Sequence, residues 1–464
     1  MIGSMQPNES FGQANFGSCQ LGDRRRTSRL VRLADQILSH PDQSLPNKCQ
    51  SPADYRALCR LVNQPRVTHG RVLQAHARRV LDQMRSFHRP LLLIHDTTEL
   101  DYSGQHTLAP GPIGNGGGQG YECHNSLAVE PLTRLVLGLA NQVLHRRRRV
   151  PGKEGVAAKR AHPDRESRLW VRAVAAIGPA PEGGLWIDVC DRGADLFEFL
   201  QYECRHGRSF VIRSTHSRAL ELEEGDPGPH LLHDRLRQQP ALTAMSVELP
   251  GRPGRPERTA KLRCSFLAVR LKAPHVKRGE HGREALAVWA IRVWEVDAPE
   301  GAEPVEWLLL TNVAVQTAEQ LLERVGWYAT RGVVEEYHKA QKTGVKIESL
   351  QFQSRAGLEP VIGLLSVVAV ALLNLRVAAR QEETAQRPAR EPVGPLWVEV
   401  LSTWRHQEAR EMTVTEFTLA LARLGGHQNR KCDGLPGWLT LWRGWNKLHA
   451  MIDYELARHR RDSS

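Results

Sequence analysis

The sequence predicts an α/β protein with a β-rich insertion in its central core and a helical region on each side. Three observations support this fold class. Apolar residues recur with helical periodicity in residues 1–85 and 376–464. Between about 86 and 375, short apolar runs alternate with helical segments. Between about 218 and 306, Pro and Gly are frequent and "ALAVWAIRVWEV" alternates as a half-buried strand does. We therefore expect domains at 1–85, 86–375 and 376–464.

The composition is that of a soluble globular protein with an uneven positive charge. The chain has 464 residues, 41% of them hydrophobic, and a net charge of +12. Between Met1 and Pro90 there are 14 basic and 6 acidic residues, so +8 of that charge lies in the first fifth. A basic N-terminal region predicts a polyanionic partner, most simply nucleic acid, with a membrane surface as the alternative.

Other features predict a cytosolic location. The start "MIGSMQPNES" is polar and lacks the apolar core of a signal peptide. The longest apolar run begins at Val361, is interrupted by Ser366, and is interpreted as a buried helix. The 8 cysteines show neither a CxxC pair nor zinc-ligand spacing, which predicts reduced thiols.

Start signals predict two helices in the N-terminal region. In "LGDRRRTSRLVRLADQIL", Asp23 is a candidate N-cap and a helical apolar face follows it. The helix of "SPADYRALCRLVNQP" should begin at Ser-Pro and stop before Pro65. The first helix crowds five arginines into one short segment, which predicts contacts with phosphates: Arg24, Arg25, Arg26, Arg29 and Arg32.

Two predicted strands of the core each deliver an acidic side chain. "PLLLIHDTTEL" is an apolar run that ends in a polar cluster at Asp96, which predicts a buried strand with Asp96 at its end. "GGLWIDVCDRGADLFEFL" places Asp191 at the end of a strand that precedes a helix. "RSFVIRSTH" is a further strand. Because ligands of α/β folds bind beyond strand ends, we expect Asp96 and Asp191 near a functional site.

A third acid lies in "YATRGVVEEYHKAQKTG", residues 328–344, which predicts the front of a helix. Counted at 3.6 residues per turn, its polar residues form a single stripe: Tyr328, Arg331, Glu335, Lys339 and Lys342. For an isolated stripe of mixed charge, the ordinary interpretation is a solvated salt-bridge face. Asp96 and Asp191 give the stripe a second interpretation, because three acids from separate segments could meet in an α/β fold.

Three carboxylates without a Cys or His cage are ligands that Mg²⁺ or Mn²⁺ prefers. Two such ions can activate an attacking oxygen and stabilise the leaving oxygen in phosphodiester chemistry. In that interpretation Glu335 holds metal, while Arg331, Lys339 and Lys342 neutralise the phosphates of the substrate.

These residues resemble a DDE transposase of the insertion-sequence-four family, and the resemblance runs nearly end to end. It includes "LGDRRRTSRLV", "HDTTELDYS", "VCDRGADLFEFL", "LARLGG" and "GWLTLWRGW". The family's Tyr-x2-Arg-x3-Glu-x6-Lys signature is met at every spacing by Tyr328, Arg331, Glu335 and Lys342. Two tryptophans of the family are replaced here, by Gly332 and Gln341.

The resemblance implies an RNase H-like catalytic core with a β insertion, an N-terminal helical DNA-binding domain and a C-terminal helical dimerisation domain. It implies Mg-dependent cut-and-paste transposition, catalysed by Asp96, Asp191 and Glu335 with two ions per site. The substrates would be double-stranded transposon ends and target DNA, in the bacterial cytoplasm. Trp307 would stack on a base flipped out near the transposon end, although a core aromatic at the start of a strand is the alternative. We expect DNA contacts from these residues: Arg25, Arg26, Arg29, Arg60, Arg213, Trp307, Tyr328, Arg331, Lys339 and Lys342.

Two other function classes explain part of the sequence. A non-catalytic DNA-binding protein would use the basic N-terminal region equally well, but it needs no set of three separated acids. A hydrolase such as a glycosidase uses two carboxylates, but it leaves the basic residues around Glu335 unexplained.

Three further segments carry predictions without a functional assignment. "GPIGNGGGQGYE" lacks GK[ST] and is predicted to be a flexible loop rather than a nucleotide-binding one. His124 and Asn125, just beyond it, could line the site or end a strand. Near the C-terminus, Trp438, Trp442 and Trp445 recur at helical spacing, which predicts a packed core or an interface.

Overall fold

The computed structural model describes residues 9–462 except 42, 106, 107, 109, 151, 250–256, 276–280, 379–384, 429 and 431–435. It is a mixed α/β protein with an N-terminal helical region and one large mixed sheet. This agrees with the predicted α/β class.

The described part of the N-terminal region contains five helices, α1 Phe11–Phe16, α2 Arg24–Ser39, α3 Leu45–Lys48, α4 Pro52–Val62 and α5 His69–Arg85. Asp23 is the N-cap of α2, as predicted, and its side chain accepts a hydrogen bond from the backbone N–H of Arg25. Ser51 caps α4 in the same way, from the backbone N–H of Asp54. The predicted starts of both helices are therefore confirmed, because short polar side chains satisfy N–H groups that a helix leaves unpaired.

The sheet contains β1 Leu91–Asp101, β2 Pro112–Ile113, β3 Gly118–Val129, β4 Val136–His145, β5 Trp186–Cys190, β6 Ser209–Arg213, β7 Thr243–Leu249, β8 Arg258–Leu271, β9 Leu286–Val296 and β10 Glu306–Thr311. Its main order is β2-β3-β1-β5-β6-β10-β9-β8-β7, and β4 pairs with β3. β1 is antiparallel to β3 and parallel to β5, and β5 is parallel to β6. The pairing of β10 with both β6 and β9 joins the predicted β-rich segment to this sheet.

Helices cover the sheet and continue the chain: α6 Val156–Ala161, α7 Leu169–Ile177, α8 Phe197–Arg205, α9 Leu232–Arg237, α10 Ala318–Ala329, α11 Gly332–Lys339 and α12 Arg355–Ala378. Within the described part of the chain, α12 contains the one stretch long and apolar enough to cross a membrane, Arg355–Asn374. That stretch is 83% buried inside the protein, so it is a core helix, as predicted. A hydrophobic run surrounded by protein on all sides is what a central core helix requires.

The C-terminal region has four described helices, α13 Arg390–Val393, α14 Pro395–His406, α15 Val414–Leu424 and α16 Trp438–Asp462. Gly425 and Gly444 let α15 and α16 approach closely, because a Cβ on Gly444 would lie 1.8 Å from the Leu421 carbonyl oxygen. Trp442 is buried in the main core, and Trp445 stacks on Trp397 with ring centroids 4.5 Å apart. The packed-core prediction is therefore confirmed for Trp442, while the side chain of Trp438 lies outside the described residues.

Three local predictions were wrong. β1 continues past Asp96 to Asp101, because β3 pairs with it along that whole length. Pro112–Ile113 and the start of β3 form a hairpin where a flexible loop was predicted. The stripe from residue 328 does not lie on one helix, since α10 ends at Ala329, α11 begins at Gly332, and residues 340–344 form a π-helical segment.

Candidate active site and nucleic-acid interface

Parallel pairing brings the first two predicted acids to the same level of the sheet. The last register pair between β1 and β5 is His95 with Cys190, and Asp96 and Asp191 are the next residues of the two strands. Neighbouring strands lie about 4.8 Å apart. Asp191 leaves the sheet at once, because its Oδ1 accepts a hydrogen bond from the Gly193 N–H (2.8 Å) and caps a short 3₁₀ turn.

Arg331 connects the third acid to the first. Its Nη1 donates to Asp96 Oδ2 at 3.1 Å and its Nη2 donates to Glu335 Oε1 at 2.6 Å. Arg331 lies directly before α11, so the guanidinium reaches the sheet while Glu335 lies one turn further along the helix. Burial would lower the pKa of Arg331, but Asp96 and the other anionic neighbours raise it overall. The structure thus gathers a cation and carboxylates at one place on the sheet.

The electrostatics of Asp96 reflect this crowding. Burial, followed by the negative charge of Asp191, raises the pKa of Asp96 to about 6, although Arg331 and the Thr97 N–H oppose the change. Glu335 contributes a smaller effect in the same direction as Asp191. Burial is therefore the main cause of the raised pKa of Asp96, and the neighbouring carboxylates add to it.

Glu335 is the most accessible of the three acids. Its side chain is 51% exposed, compared with 17% for Asp96. In the described part of the chain, no three His, Cys, Asp or Glu side chains are grouped closely enough to hold a metal ion. The Glu335 side chain is instead paired with Arg331, whose guanidinium donates to both Asp96 and Glu335.

Two aromatic residues and Arg213 border the acids. Tyr328 is buried at the end of α10, and its ring meets that of Trp307 edge-on, with centroids 5.4 Å apart. Burial raises the pKa of Tyr328, while Arg331 and a hydrogen-bonded Arg213 lower it. Arg213 also donates to the Glu306 carbonyl oxygen at 3.2 Å. Trp307 is half-buried on β10, so part of its ring faces solvent.

The two predicted lysines differ in their surroundings. Lys339 ends α11 and is exposed. Lys342 lies in the π-helical segment, and its Nζ is 3.2 Å from Glu348 Oε1. Glu348 also accepts the Asp101 N–H at 2.9 Å, so this ion pair joins the segment to the end of β1. Short π-helical turns are frequent at functional sites.

A buried polar network supports the inner face of α11. Asn125 on β3 is hydrogen-bonded to His338 (3.2 Å) and also contacts Gln341, and Gln142 on β4 donates to the Asn125 Oδ1 at 2.7 Å. Burial lowers the pKa of His338 to about 3, so the ring is neutral. Asn125 lies inside β3 and neither ends a strand nor faces solvent. His338 was not among the predicted site residues, although its i+3 spacing from Glu335 was a usable signal.

A second network lies behind Asp96. His95 Nε2 donates to Asp188 Oδ1 at 2.8 Å, and Ser126 Oγ is 2.9 Å from His95 Nδ1. All three side chains are fully buried. Arg208 donates to both Asp188 oxygens at 2.8 and 2.9 Å. This arrangement fixes β1 against β5. An Asp within the apolar run "WIDVC" was the sequence signal, because a buried charge requires partners.

His124, next to Asn125 on β3, also lies inside the strand. Its Nδ1 is 2.8 Å from Thr97 Oγ1, and the Trp170 ring meets it edge-on with centroids 4.8 Å apart. Burial lowers the pKa of His124 well below its ordinary value. His124 is therefore neutral, and its ring contacts Thr97, the residue that follows Asp96.

The N-terminal arginines differ in their exposure and in their partners. Arg25 is 93% exposed and donates to Asp23 Oδ2 at 3.1 Å, and Arg24 and Arg60 are also exposed. Arg26 donates to the Leu21 carbonyl oxygen at 3.0 Å and to Gln64 Oε1 at 2.9 Å. Arg29 and Arg32 lie 3.4 and 2.9 Å from Asp54, and the Arg32 side chain is 61% exposed. Arg24, Arg25, Arg32 and Arg60 are therefore accessible to phosphates.

Residues 8–67 match the family model described as "Transposase DNA-binding". This segment is similar to transposase DNA-binding domains. It covers α1–α4 and contains the arginine-rich face of α2. The match supports DNA as the polyanionic partner of the basic region, and it supports an enzyme that cleaves or transfers DNA.

Proposed function

We propose that the protein is a DDE transposase that binds the terminal inverted repeats of a mobile element and moves the element by Mg-dependent nicking, hairpin formation and strand transfer. The observation that carries the proposal is the bridge that Arg331 makes between Asp96 and Glu335, at the level of the sheet where Asp191 follows β5, in a chain whose residues 8–67 resemble a transposase DNA-binding domain. The resemblance to the insertion-sequence-four family, and within it to the transposon-five transposase, supports the same conclusion.

The order of the sheet supports an RNase H-like core. β4, β3 and β1 form an antiparallel meander, and β5 and β6 continue from β1 in parallel. The candidate acids lie where the antiparallel and parallel parts meet. β7–β10 extend the other side of β6, which fits an insertion into such a core. The proposed domains are 1–85, 86–375 and 376–464.

The donor chemistry fits a hard divalent cation. Three carboxylates supply only oxygen ligands. Burial, followed by repulsion from the other carboxylates, raises the pKa of Asp96. Asp96, Asp191 and Glu335 would hold the metal, with Glu335 turning from Arg331 to do so. When bound, Mg²⁺ or Mn²⁺ would supply activation of the attacking oxygen and stabilisation of the leaving oxygen.

The surrounding residues have complementary roles toward DNA. Arg331 is held at the carboxylates and would place its guanidinium against the scissile phosphate once Glu335 is engaged elsewhere. Lys339, Lys342 and Arg213 would neutralise flanking phosphates. Trp307, with part of its ring accessible beside Tyr328, would stack on a displaced base, an interaction worth about 1 to 3 kcal/mol.

Cut-and-paste transposition also requires paired ends. We propose that the protein forms a homodimer on two transposon ends through the C-terminal helices, then captures target DNA, and that it does so in the bacterial cytoplasm. Tyr454 on α16 is 68% exposed and Trp404 on α14 is 41% exposed, so these helices offer aromatic surface for such a contact.

The decisive experiment compares two neighbouring glutamates. Glu335→Gln keeps size and polarity but removes the charge that holds a hard cation. We expect the variant to bind a duplex ending in its inverted repeat normally, and to lose Mg²⁺-dependent nicking by at least about 100-fold.

Glu336→Gln is the matched control, because residue 336 points about 100° away around the helix, and it should nick within about threefold of the parent. Robust nicking by Glu335→Gln would end the DDE mechanism. If the unmodified protein binds ends but does not nick with Mg²⁺ or Mn²⁺, the second candidate, a catalytically inactive DNA-binding relative, takes its place.

A further inference from the structure

A lysine of the DNA-binding domain is buried against the segment that follows the candidate catalytic glutamate. Lys48 is the last residue of α3 and is 1% exposed. Its Nζ donates to the Val345 carbonyl oxygen at 2.5 Å, a contact across 297 residues of sequence. A lysine ammonium group is rarely buried unless a hydrogen-bond acceptor or an opposite charge stabilises it. Lys48 is also distinct from the N-terminal arginines expected to contact DNA, since those lie on α2 and α4.

Val345 is the C-cap of the π-helical segment Ala340–Gly344. Its own N–H donates to the Ala340 carbonyl oxygen at 2.9 Å and closes the π turn. The carbonyl groups at a helix C-terminus carry partial negative charge and lack intrahelical partners, so a cation stabilises them. Lys48 supplies that cation from another part of the chain.

The π-helical segment continues directly from α11. Glu335 lies in α11, and Lys342 lies within the segment itself. The hydrogen bond to the Val345 carbonyl therefore restricts the rotation of Lys342 and its shift along the helix axis. Because α11 and the π-helical segment are continuous, the same bond limits the movement of Glu335. A π turn is also less favourable than an α turn, so it needs support from outside the helix.

We propose that Lys48 is a positioning residue for strand cleavage. It anchors the C-terminal end of α11 and its π-helical continuation to the DNA-binding domain, and so makes the geometry of Glu335 and Lys342 depend on that domain. The inference rests on the proposed function. It adds a mechanical connection between the part of the protein that holds the element end and the part that cuts it.

The first arm of the test measures the anchor in the absence of DNA. Lys48→Met retains most of the aliphatic stem and removes the ammonium donor. We expect faster amide hydrogen exchange at Val345, whose N–H closes the π turn, with no comparable change in β1 or β5. If Lys48→Met does not fold, Lys48→Gln replaces it, with the same direction expected.

The second arm measures cleavage on a duplex ending in the inverted repeat that flanks the gene. End affinity should stay within about twofold of the wild type, because Lys48 is buried, while the single-turnover nicking rate should fall by about 10-fold or more, since small displacements of a catalytic group have effects of this size. Cys49→Ala is the matched control: it removes a fully buried neighbour of Lys48, and should lower stability but leave both readouts unchanged.

Unchanged exchange at Val345 and unchanged nicking in folded Lys48→Met would overturn the inference. Equal losses in Lys48→Met and Cys49→Ala would also overturn it, because they would reveal only general destabilisation. Absence of nicking in the wild type would count against the proposed function instead, and the exchange arm would still decide whether Lys48 anchors the helix.

Discussion

At the scale of single residues, the protein keeps several histidines neutral by burying them. His76 on α5 is a clear case: the Leu139 N–H donates to its Nε2 at 3.0 Å, so the ring proton lies on Nδ1 and is shared with Asn15 Oδ1 at 2.7 Å. Burial, followed by the charge of Arg79, lowers the pKa of His76 to about 3. His76 therefore joins α1, α5 and β4 only in its neutral form.

This arrangement predicts acid sensitivity. The unfolded protein binds a proton at His76 below about pH 6.5, whereas the folded protein does not until about pH 3, so the stabilisation is present above pH 6.5 and is lost as the pH falls. We expect His76 alone to reduce the free energy of unfolding by about 2 kcal/mol between pH 6.5 and 5. His76→Gln should have a shallower acid slope in urea unfolding across this range.

His88 is the matched control for this prediction. Its side chain is exposed, so His88→Gln should retain the acid slope of the parent protein. If His76→Gln and the parent have the same slope, protonation of His76 does not limit stability.

The residues of the site show what sequence patterns can reveal. The proximity of Asp96 and Asp191 was predictable because each follows an apolar strand pattern, while the role of these acids and of Glu335 stays a prediction. The long-range contacts around them were harder to predict: Asn125 meets His338 across 213 residues, and Lys48 reaches Val345 across 297. Local periodicity contains no information about such long-range pairs.

At the scale of elements, α2 combines two duties on one short run of arginines. Arg25 extends into solvent, whereas Arg26 ties the turn before α2 to the end of α4. Adjacent residues on a helix point about 100° apart, so a cluster of like charges in sequence separates into different surfaces. The clustering of arginines predicted DNA contact for both residues. Because their contacts differ, we expect Arg25 to affect DNA binding and Arg26 to affect stability.

We therefore predict different phenotypes for two alanine variants. Arg25→Ala should weaken end binding and reduce the slope of log affinity against log salt by about one unit, since a phosphate contact is lost. Arg26→Ala should lower the free energy of unfolding by about 1 to 3 kcal/mol, because two hydrogen bonds from a charged group disappear. Salt titrations and chemical unfolding measure the two effects, and an unchanged salt slope in Arg25→Ala would remove it from the DNA interface.

Element boundaries were predicted well where capping residues mark them and poorly where tertiary contacts decide them. Asp23 and Ser51 marked the starts of α2 and α4. No comparable signal marked the interruption between Ala329 and Gly332 or the π turn after Lys339, and the strand that carries Asp96 was extended by its pairing with β3.

At the scale of the whole molecule, the last helix reaches the main core through Trp442, while the C-terminal helices also form an apolar cluster of their own. Trp442 on α16 belongs to the same apolar cluster as Tyr337 on α11 and as residues of the sheet. The C-terminal region therefore contributes to the stability of the part that carries the candidate site, besides its proposed role in pairing ends.

Two tryptophans of this region should differ in their effect on stability. Trp442→Ala should lower the free energy of unfolding by about 3 to 5 kcal/mol, as expected for removing a large buried side chain. Trp404→Ala changes a residue that is 41% exposed and should cost less than about 1 kcal/mol. Guanidinium unfolding compares them, and similar small losses for both would show that α16 does not support the core.

The continuity of the sheet from β6 into β10 also determines how the protein can be shortened. Phe210, Val211 and Ile212 of β6 are fully buried, and β10 covers their outer edge through antiparallel pairing. A version that lacked β10 as well as the insertion would expose this apolar strand as an open edge, which invites pairing between molecules and aggregation. Any minimal catalytic core derived from this chain should therefore keep β10, or supply another strand or charged residues to protect that edge.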